Sequence, residues 1–463
     1  MTTAVETATI ETSTVETSTV EKTAVAELPQ LLADHEAFAA GLSAHPESVA
    51  ALRRAGRDRF ATVGFPSKRD EEWRFTNIAP IARTEFAHSP GSLHGRGAQD
   101  LAPFLIPDTV DLVFVNGRYM PELSQPEALP EGVVAGSLAD ALESHPELVA
   151  EHLGRHADAE QPFVALNSAH IEDGAFVYVP KNVRLDRVLH FLFVATAGDR
   201  PTVSYPRNLI VAGESAELTL VESYAGFKGD VYLTCPVTEI VGGANSTIDH
   251  YRLGEEGLDG FHLGTLKIQL ERDAEFFTHS VNHGGAIVRN DIQAYLGGEG
   301  IHCTLNGLYL SRGTQLVDHH MRVDHAVPHC NSYELFKGIL EDRSRAVFNG
   351  RIMVHEDAQK TDAKQSSQHL LLSDGAIAHS NPQLEIFADD VRCTHGSTTG
   401  QLDEEALFYL RSRGIGREAA SSLLTYAFAG EVLDEIRLDT VRKDLEEFLF
   451  TRLPKGDVVR QAV

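Results

Sequence analysis

The stretch VRCTHGSTTGQLDEEALFYLRSRGI, residues 391–415, decides the fold because a β-rich sequence ends in it and a helical one begins. Its first part is typical of a β-strand that carries Cys393 and His395, and its Gly-rich middle predicts a turn before a helix. Side chains two positions apart on a strand share a face, roughly 7 Å apart. This thiol and imidazole are either ordinary core residues or metal ligands, and in the second case a partner chain must complete the site.

Upstream of this stretch, short runs rich in β-branched and aromatic residues are separated by Gly, Asp and Asn. So many closely spaced strands predict a large sandwich, barrel, propeller or β-solenoid, and their irregular spacing does not choose among these folds. The predicted strands include Val110–Val115, Phe176–Val179, Val188–Ala195, Asn208–Val211, Glu217–Glu222, Val231–Ile240, Thr265–Leu270 and Ile386–Arg392.

Downstream of the strand, the pattern predicts three helices. Asp403 suits the N-cap of the first helix, and Arg411 lies in its last turn before Gly414, where positive charge complements the helix dipole. A second helix is predicted from about Arg417 and a third over Leu438–Leu453, each with an apolar stripe. These stripes require a surface to pack against.

The sequence before the β-rich part divides in two. Residues 1–26 repeat a five-residue Thr/Glu unit without aromatic residues, which predicts a disordered tail. Residues 27–105 have a helical pattern and include SKRDEEWRFT at 67–76, in which Trp73 and Phe75 are expected to anchor this region to a core. The predicted organisation continues with a β-rich core over 106–400 and a helical domain over 401–463.

Composition and charge exclude several classes of protein. The chain of 463 residues is 42% hydrophobic and 23% charged, as in folded soluble proteins, and its formal net charge of -27 argues against binding nucleic acid or an anionic membrane. It has neither a transmembrane run nor a secretory signal pattern, so we expect a cytoplasmic protein. The cysteines are scattered as in a reducing compartment, at Cys235, Cys303, Cys330 and Cys393.

Common catalytic motifs are absent from the sequence. It contains no G-x-x-x-x-G-K-[ST] phosphate loop and no H-E-x-x-H zinc motif. The segment 396–400 resembles a nucleophile elbow but has threonine at the nucleophile position. The segment 414–420 matches half of a dinucleotide fingerprint, yet a predicted helix precedes it where a strand is required. An ordinary hydrolase or oxidoreductase is therefore poorly supported.

A histidine ladder, DHHMRVDH at 318–325 followed by His329 and Cys330, concentrates ligand-type side chains. On an extended chain His319 and His325 share one face, while Asp318 and His320 share the other. A metal site is one interpretation of this ladder. We favour rows of hydrogen-bonded or solvent-facing side chains, because a histidine ladder without a well-placed further ligand seldom holds metal.

The stretch at 347–415, which begins VFNGRIMVHEDAQKTDAKQSSQ, closely resembles the core of the SufB/SufD family of iron-sulfur cluster assembly scaffolds. The SKRDEEWRFT segment looks like the N-terminal signature of the SufD branch. This resemblance implies a mainly β fold, with a central right-handed parallel β-helix mainly over 160–400, an N-terminal helical region and a C-terminal helical domain. It also implies a SufB-like partner for the β-helix and a SufC-like ATPase partner for the C-terminal helices.

The resemblance assigns roles only at matched positions. His395 matches the histidine implicated in cluster formation at the SufB interface, and Cys393 matches its neighbouring cysteine, so both are expected to bind iron or a nascent cluster. The matched ATPase-docking segment contains the expected contacts Leu407, Phe408, Tyr409, Arg411, Arg413, Gly414 and Ile415.

The resemblance thus implies a non-catalytic scaffold that holds no cofactor tightly by itself and shares a transient iron-sulfur cluster at a subunit interface. Two points are left open, namely whether the chain forms a homodimer when its partners are absent and whether flavin associates with the complex. The missing cysteine at 366–369 and Gly396, which stands where SufB-like sequences tend to have glutamate, favour SufD over SufB. The alternatives are a SufB-type subunit and, on fold analogy alone, a β-helical enzyme acting on polysaccharide.

Overall fold

The computed structural model of the chain describes residues 31–32, 35, 38, 46–88, 91–126, 128–157 and 159–462. The tail predicted at 1–26 lies outside these residues. Short 3-10 helices occur at Glu71–Trp73 and Ala98–Phe104. The α-helices of the described residues are α1 (Glu47–Val63), α2 (Ala79–Ala82), α3 (Leu138–Ser144), α4 (Pro146–His152), α5 (Pro162–Ala169), α6 (Glu404–Ser412), α7 (Arg417–Leu433), α8 (Asp439–Arg452) and α9 (Gly456–Ala462).

The strands lie between α2 and α6 along the chain. In order they are β1 (Ala87–His88), β2 (Thr109–Val115), β3 (Arg118–Tyr119), β4 (Val134–Ser137), β5 (Ala175–Val179), β6 (Val188–Ala195), β7 (Thr202–Ser204), β8 (Arg207–Ala212), β9 (Glu217–Gly226), β10 (Tyr232–Thr234), β11 (Val237–Gly242), β12 (Thr247–Glu255), β13 (Phe261–Leu270), β14 (Glu275–Asn282), β15 (Ile287–Leu296), β16 (His302–Ser311), β17 (Leu316–His325), β18 (Asn331–Leu340), β19 (Arg345–Val354), β20 (Asp362–Leu371), β21 (Ile377–Ile386) and β22 (Arg392–Gly400).

From β11 onward the strands alternate between two sheets, so that each strand pairs in parallel with the strand two positions along. One sheet runs in the order β21-β19-β17-β15-β13-β11-β8-β5-β4 and the other in the order β22-β20-β18-β16-β14-β12-β9-β6-β2-β3. This arrangement is a β-solenoid of about eight turns. The predicted mainly β fold with helical N-terminal and C-terminal regions is therefore confirmed.

One corner of the solenoid is built from residues that adopt left-handed backbone conformations. Asn245 and Asp273 occupy it in successive coils with φ of 59° and 56°. The backbone N–H of Asn245 donates to the carbonyl of Arg272 at 2.8 Å, so hydrogen bonding continues from coil to coil at the turn. Asn and Asp tolerate this conformation better than β-branched residues do, which explains why polar residues punctuate the strands.

Three local predictions differ from the structure. The run Ile386–Arg392 is the bend between β21 and β22 rather than a strand, and the Gly-rich segment 396–400 is the end of β22 rather than a turn. The ladder between β22 and β20 extends to Gly400 because a complete partner strand lies beside it. The run Val231–Ile240 forms two strands that are separated at Pro236, which has no backbone N–H to donate.

The helices after the solenoid agree with their predicted positions, and the Asp403 side chain accepts hydrogen bonds from the backbone N–H groups of Glu405 and Ala406. Helices α7 and α8 pack on the outer face of the β16 and β18 sheet through buried apolar side chains. Lys337 of β18, which is fully buried, reaches Glu431 of α7 at 2.6 Å. None of the described helices is long and apolar enough to cross a bilayer.

Candidate functional site

The two sheets end at one side of the solenoid in strands that pair on one edge only. β21 is the last strand of one sheet and β22 is the last strand of the other. The chain at this end leaves large apolar side chains exposed, with Ile377 at 41%, Ile386 at 40% and Phe387 at 64%. Unpaired backbone groups beside exposed apolar side chains form a template for another chain. We call the surface formed by 377–400 the open end.

Cys393 and His395 lie on β22, at the open end. Cys393 packs partly into the last coil beside a buried apolar cluster that includes Ile352 and Ala363, whereas His395 is exposed. The alternation of the strand directs both side chains toward the same side of β22, as predicted. The sequence therefore identified the shared face correctly, although it misplaced the end of the strand.

The thiol of Cys393 is not activated in the isolated chain. Burial raises its pKa and Asp362 raises it further, while a hydrogen bond with the backbone of Ala363 opposes both effects. A protonated thiol is a poor metal ligand, so binding through Cys393 requires that a metal or a partner displace its proton. His395 needs no such step when its ring is neutral.

The two side chains form an incomplete set of ligands. Within the part of the chain that the structure describes, no group of three or more His, Cys, Asp and Glu side chains is arranged to hold a metal ion. A four-coordinate site at the open end therefore needs ligands from a second protein or from sulfide.

Helix α6 begins four residues after β22 ends, since only the linker 401–403 separates them. Leu407 of this helix is buried, but Phe408 is 72% and Tyr409 is 56% exposed. The guanidinium of Arg413 lies over the Tyr409 ring, 5.1 Å from its centroid. Arg411 and Gly414 are also exposed, and Ile415 is half-buried. The expected docking residues thus lie together on one short helix and the turn after it, with Leu407 facing the protein.

The histidine ladder is divided between two environments. His319 and His325 face the solenoid interior, where burial lowers their pKa values to about 3 and about 4 and the ring of His325 hydrogen-bonds with the Ser332 hydroxyl at 2.9 Å. His320 faces outward and contacts Asp318 at 3.1 Å and Glu72 at 2.9 Å. These contacts agree with hydrogen-bonded and ion-paired rows rather than with a metal site.

Sequence reasoning missed the contact between the SKRDEEWRFT segment and this ladder. Trp73 is buried as predicted, and the guanidinium of Arg289 stacks over its ring at 3.7 Å. Phe75 is only partly covered: its ring stacks on that of His379 of β21 with 4.1 Å between the ring centroids, but the residue remains 40% exposed. The segment therefore reaches the open end, which its aromatic residues alone did not predict.

Comparisons with known proteins identify the family. Residues 193–428 match the model of the SufBD core domain of the SUF system for iron-sulfur cluster assembly, and residues 27–191 match the SufBD protein N-terminal region. An iron-sulfur cluster assembly SufBD family protein of Synechocystis sp. is 32% identical over 425 residues, which cover 89% of this chain and 93% of the relative.

Two relatives carry the name iron-sulfur cluster assembly protein SufD. The Escherichia coli protein is 31% identical over 85% of this chain and 90% of its own length. The Bacillus subtilis protein is 30% identical over 81% of this chain and 86% of its own length. Together with the solenoid fold and both family matches, these similarities establish that the chain belongs to the SufBD family of iron-sulfur cluster assembly proteins.

Proposed function

We propose that this chain is a SufD-type scaffold subunit of the SUF machinery, which hydrolyses no nucleotide itself. It pairs with a SufB-like subunit through the open end, docks a SufC-like ATPase through α6, and offers His395, and Cys393 after deprotonation, to iron or a nascent cluster. The observation that carries the proposal is the position of this incomplete ligand pair on a strand that pairs with β20 on one edge and has no partner strand on the other.

Pairing at the open end is supported by the cost of leaving it exposed. A solitary solenoid ordinarily caps its last coil with polar residues, because free strand edges promote uncontrolled association. Here β21 and β22 carry no such cap among the described residues, and Ile377, Ile386 and Phe387 are exposed beside them. A SufB-like subunit would cover these side chains and supply the missing ligands, and a second copy of this chain would cover them when that subunit is absent.

Docking of an ATPase through α6 is supported by the exposure of Phe408 and Tyr409 next to cationic Arg411 and Arg413. Aromatic and arginine side chains dominate the energetics of many protein interfaces. Because the linker between β22 and α6 is short, a movement of the docked ATPase would be passed directly to the strand that carries His395. ATP hydrolysis by the partner could in this way rearrange the cluster site.

A SufB-type subunit is the second candidate function. The absence of cysteine at 366–369 and the presence of Gly396 favour the SufD type, and two relatives named SufD match most of this chain. Loading the complex with sulfur from a desulfurase separates the candidates: persulfide that accumulates on this chain would identify the SufB type. The polysaccharide alternative rested on fold analogy alone and loses its basis in this family.

The ligand role of His395 is tested by replacing it with alanine in a chain co-expressed with its partners. We expect His395→Ala to reduce the iron and acid-labile sulfide of the anaerobically isolated complex by about tenfold, because one ligand of an incomplete set is lost. Ser397→Ala, a change on the same strand face, is the matched control and should leave the content unchanged. Equal iron and sulfide contents in His395→Ala and the unaltered complex would remove His395 from the site.

The docking role of α6 is tested by placing charge on its exposed face. Phe408→Asp and Arg413→Glu should each abolish co-purification of the ATPase. Phe408→Asp would bury a carboxylate in an apolar contact, and Arg413→Glu would reverse a charge at the interface. Matched controls are Val458→Asp on α9 and Lys443→Glu on α8, which make the same chemical changes at exposed positions outside α6. Retention of the ATPase by both α6 variants would reject this docking surface.

A further inference from the structure

The inward faces of the last coils stack polar side chains in a column beneath His395. Glu334 of β18 is the register partner of Gln365 of β20, and Gln365 is the register partner of His395 of β22. Neighbouring members are therefore one strand spacing apart, roughly 4.8 Å. Glu334 and Gln365 are 0% and 3% exposed, whereas His395 is exposed at the open end. A polar column thus leads from the interior to the proposed ligand.

Glu334 is buried with little compensation. Its Oε2 accepts a hydrogen bond from Nε2 of Gln365 at 2.8 Å, and its Oε1 has no partner in the described part of the chain. Burial raises the pKa of Glu334 to about 8, and the bond from Gln365 opposes this shift. Burying a carboxyl group with a single hydrogen bond is unfavourable, and an apolar side chain would pack there at lower cost. The carboxyl group therefore calls for a role beyond packing.

The bond from Gln365 to Glu334 fixes the polarity of the amide. Because the NH2 group faces Glu334, the carbonyl Oε1 of Gln365 is directed elsewhere, and it too has no partner among the described residues. Gly350 of the facing strand β19 makes room for this amide, since a Cβ at that position would come within 2.4 Å of Nε2. The arrangement leaves a buried hydrogen-bond acceptor one strand below His395.

We propose that the His395 ring, which does not contact the carbonyl of Gln365 in this structure, turns inward and donates a hydrogen bond to it, and that ionised Glu334 enforces this polarity of the amide. A ring N–H held by a carbonyl fixes the tautomer, so that the lone pair of the other nitrogen is free for a ligand. Gln365 and Glu334 are positioning residues, because they act through His395 and do not touch iron or sulfide. Their importance for cluster assembly rests on the proposed function of His395, but the tautomer itself does not.

The test uses the full chain without metal, labelled with 15N at histidine, and a long-range proton–nitrogen correlation spectrum of the rings. The His395 signals are assigned by their loss in His395→Ala. We expect one tautomer in the unaltered chain and the mixture typical of a free histidine in Gln365→Leu. The spectra are recorded at a pH above the pKa of Glu334, which is about 8, so that its carboxylate can only accept a hydrogen bond. Glu334→Gln has nearly the same size but can donate as well as accept, so it should let the amide of Gln365 turn over and change the tautomer ratio of His395. Ser367→Ala is the control.

Ser367 is a suitable control because it is fully buried and faces inward on β20, but belongs to the neighbouring column whose register partner is Ser397. Unchanged His395 signals in Gln365→Leu and Glu334→Gln would overturn the proposal, and Glu334→Gln remains informative if Gln365→Leu fails to fold. A tautomer change in these variants together with normal iron content in His395→Ala would uphold the column and reject the proposed function. An unchanged tautomer in these variants together with loss of iron in His395→Ala would reject the column and uphold the proposed role of His395 as a ligand.

Discussion

Asp318 is a charged side chain that is buried where opposite charges meet it. Asp318 is completely buried, yet Arg289 at 2.9 Å and His320 at 3.1 Å contact it, and the Thr76 hydroxyl donates to it. Burial by itself would raise the pKa of Asp318, but these partners lower it to about 2. Since Glu72 and Thr76 belong to the N-terminal region, this network holds that region on the outer face of the solenoid. Removing one partner would leave an uncompensated charge.

His320 provides a pH test of this network. Burial would lower its pKa, and Arg289 also opposes its charge, but Asp318 and Glu72 raise the pKa from 6.5 to about 9. Because the folded value lies above the unfolded one, the stabilisation is fully present below pH 6.5 and is lost as the pH rises through about 9. We expect His320→Gln to lower the free energy of unfolding by about 2 kcal/mol in mildly acidic buffer.

Urea unfolding of the unaltered chain and His320→Gln, measured in parallel from mildly acidic to strongly alkaline buffer, checks this prediction. The difference between the two proteins should shrink above the pKa of His320, because both then carry a neutral side chain at position 320. A difference that stays constant with pH would contradict an electrostatic role and indicate that the loss arises from packing.

The edge strand β22 is hydrogen-bonded to the rest of the chain along one edge only. The N–H groups of its successive residues point alternately to that edge and to the free edge. The N–H of Arg392 donates to the carbonyl of Thr361 at 2.8 Å, within the ladder to β20. Alternate residues of a parallel strand direct their N–H groups to the same side, so Thr398 also faces the ladder and Ser397 faces the free edge. Point mutations can therefore remove an N–H from the ladder edge of β22 or from its free edge, one at a time.

Proline substitutions exploit this alternation. Ser397→Pro removes an N–H that is free in the isolated chain, so we expect folding to persist and association through the open end to be lost. Thr398→Pro removes a ladder bond and should destabilise the last coil by about 3 kcal/mol. Circular dichroism on heating and light scattering of the purified chain, alone and mixed with the SufB-like subunit, measure both effects. Unimpaired association of Ser397→Pro would show that the partner does not extend this edge.

The molecule as a whole is a one-dimensional stack of coils in which each coil contacts its neighbours. Middle strands such as β13 are paired on both sides and almost completely buried, whereas β21 is only partly buried and β22 is largely exposed. In such a stack the stability of each coil depends on its interfaces with the neighbouring coils. The stability should therefore fall toward an end where the last coil lacks a neighbour. At the N-terminal end the short strands β4 and β3 are also edge strands, but there helix α3 packs Leu138 and Leu142 into a buried cluster with Phe176 of β5.

Hydrogen exchange can map this gradient along the chain. In the dilute isolated protein we expect amides of 377–400 to exchange at least tenfold faster than those of β13, because the last coil opens at lower cost. Addition of the SufB-like subunit should slow exchange at 377–400 and leave β13 unchanged. Equal protection of the two regions in the monomer would contradict the idea that the open end is completed only by a partner.

Much of this structure is local and could be predicted. The N-cap at Asp403, the stripes of α7 and α8, and the strand Val188–Ala195 follow from capping, periodicity and β-propensity. In contrast β21, with sequence IAHSNPQLEI, has little β character of its own and contains Pro382. It is extended because β19 pairs with it along its length, and its free edge tolerates proline.

The sequence by itself determined that Cys393 and His395 share a face, because the side-chain period of a strand is local. The tertiary structure alone decided that this strand is the last of its sheet, that Glu334 and Gln365 lie beneath His395, and that Glu72 meets His320. These relations join residues of different coils, or of regions far apart in the chain. Periodicity and propensity act over a few residues, whereas coil stacking depends on the register of the whole solenoid.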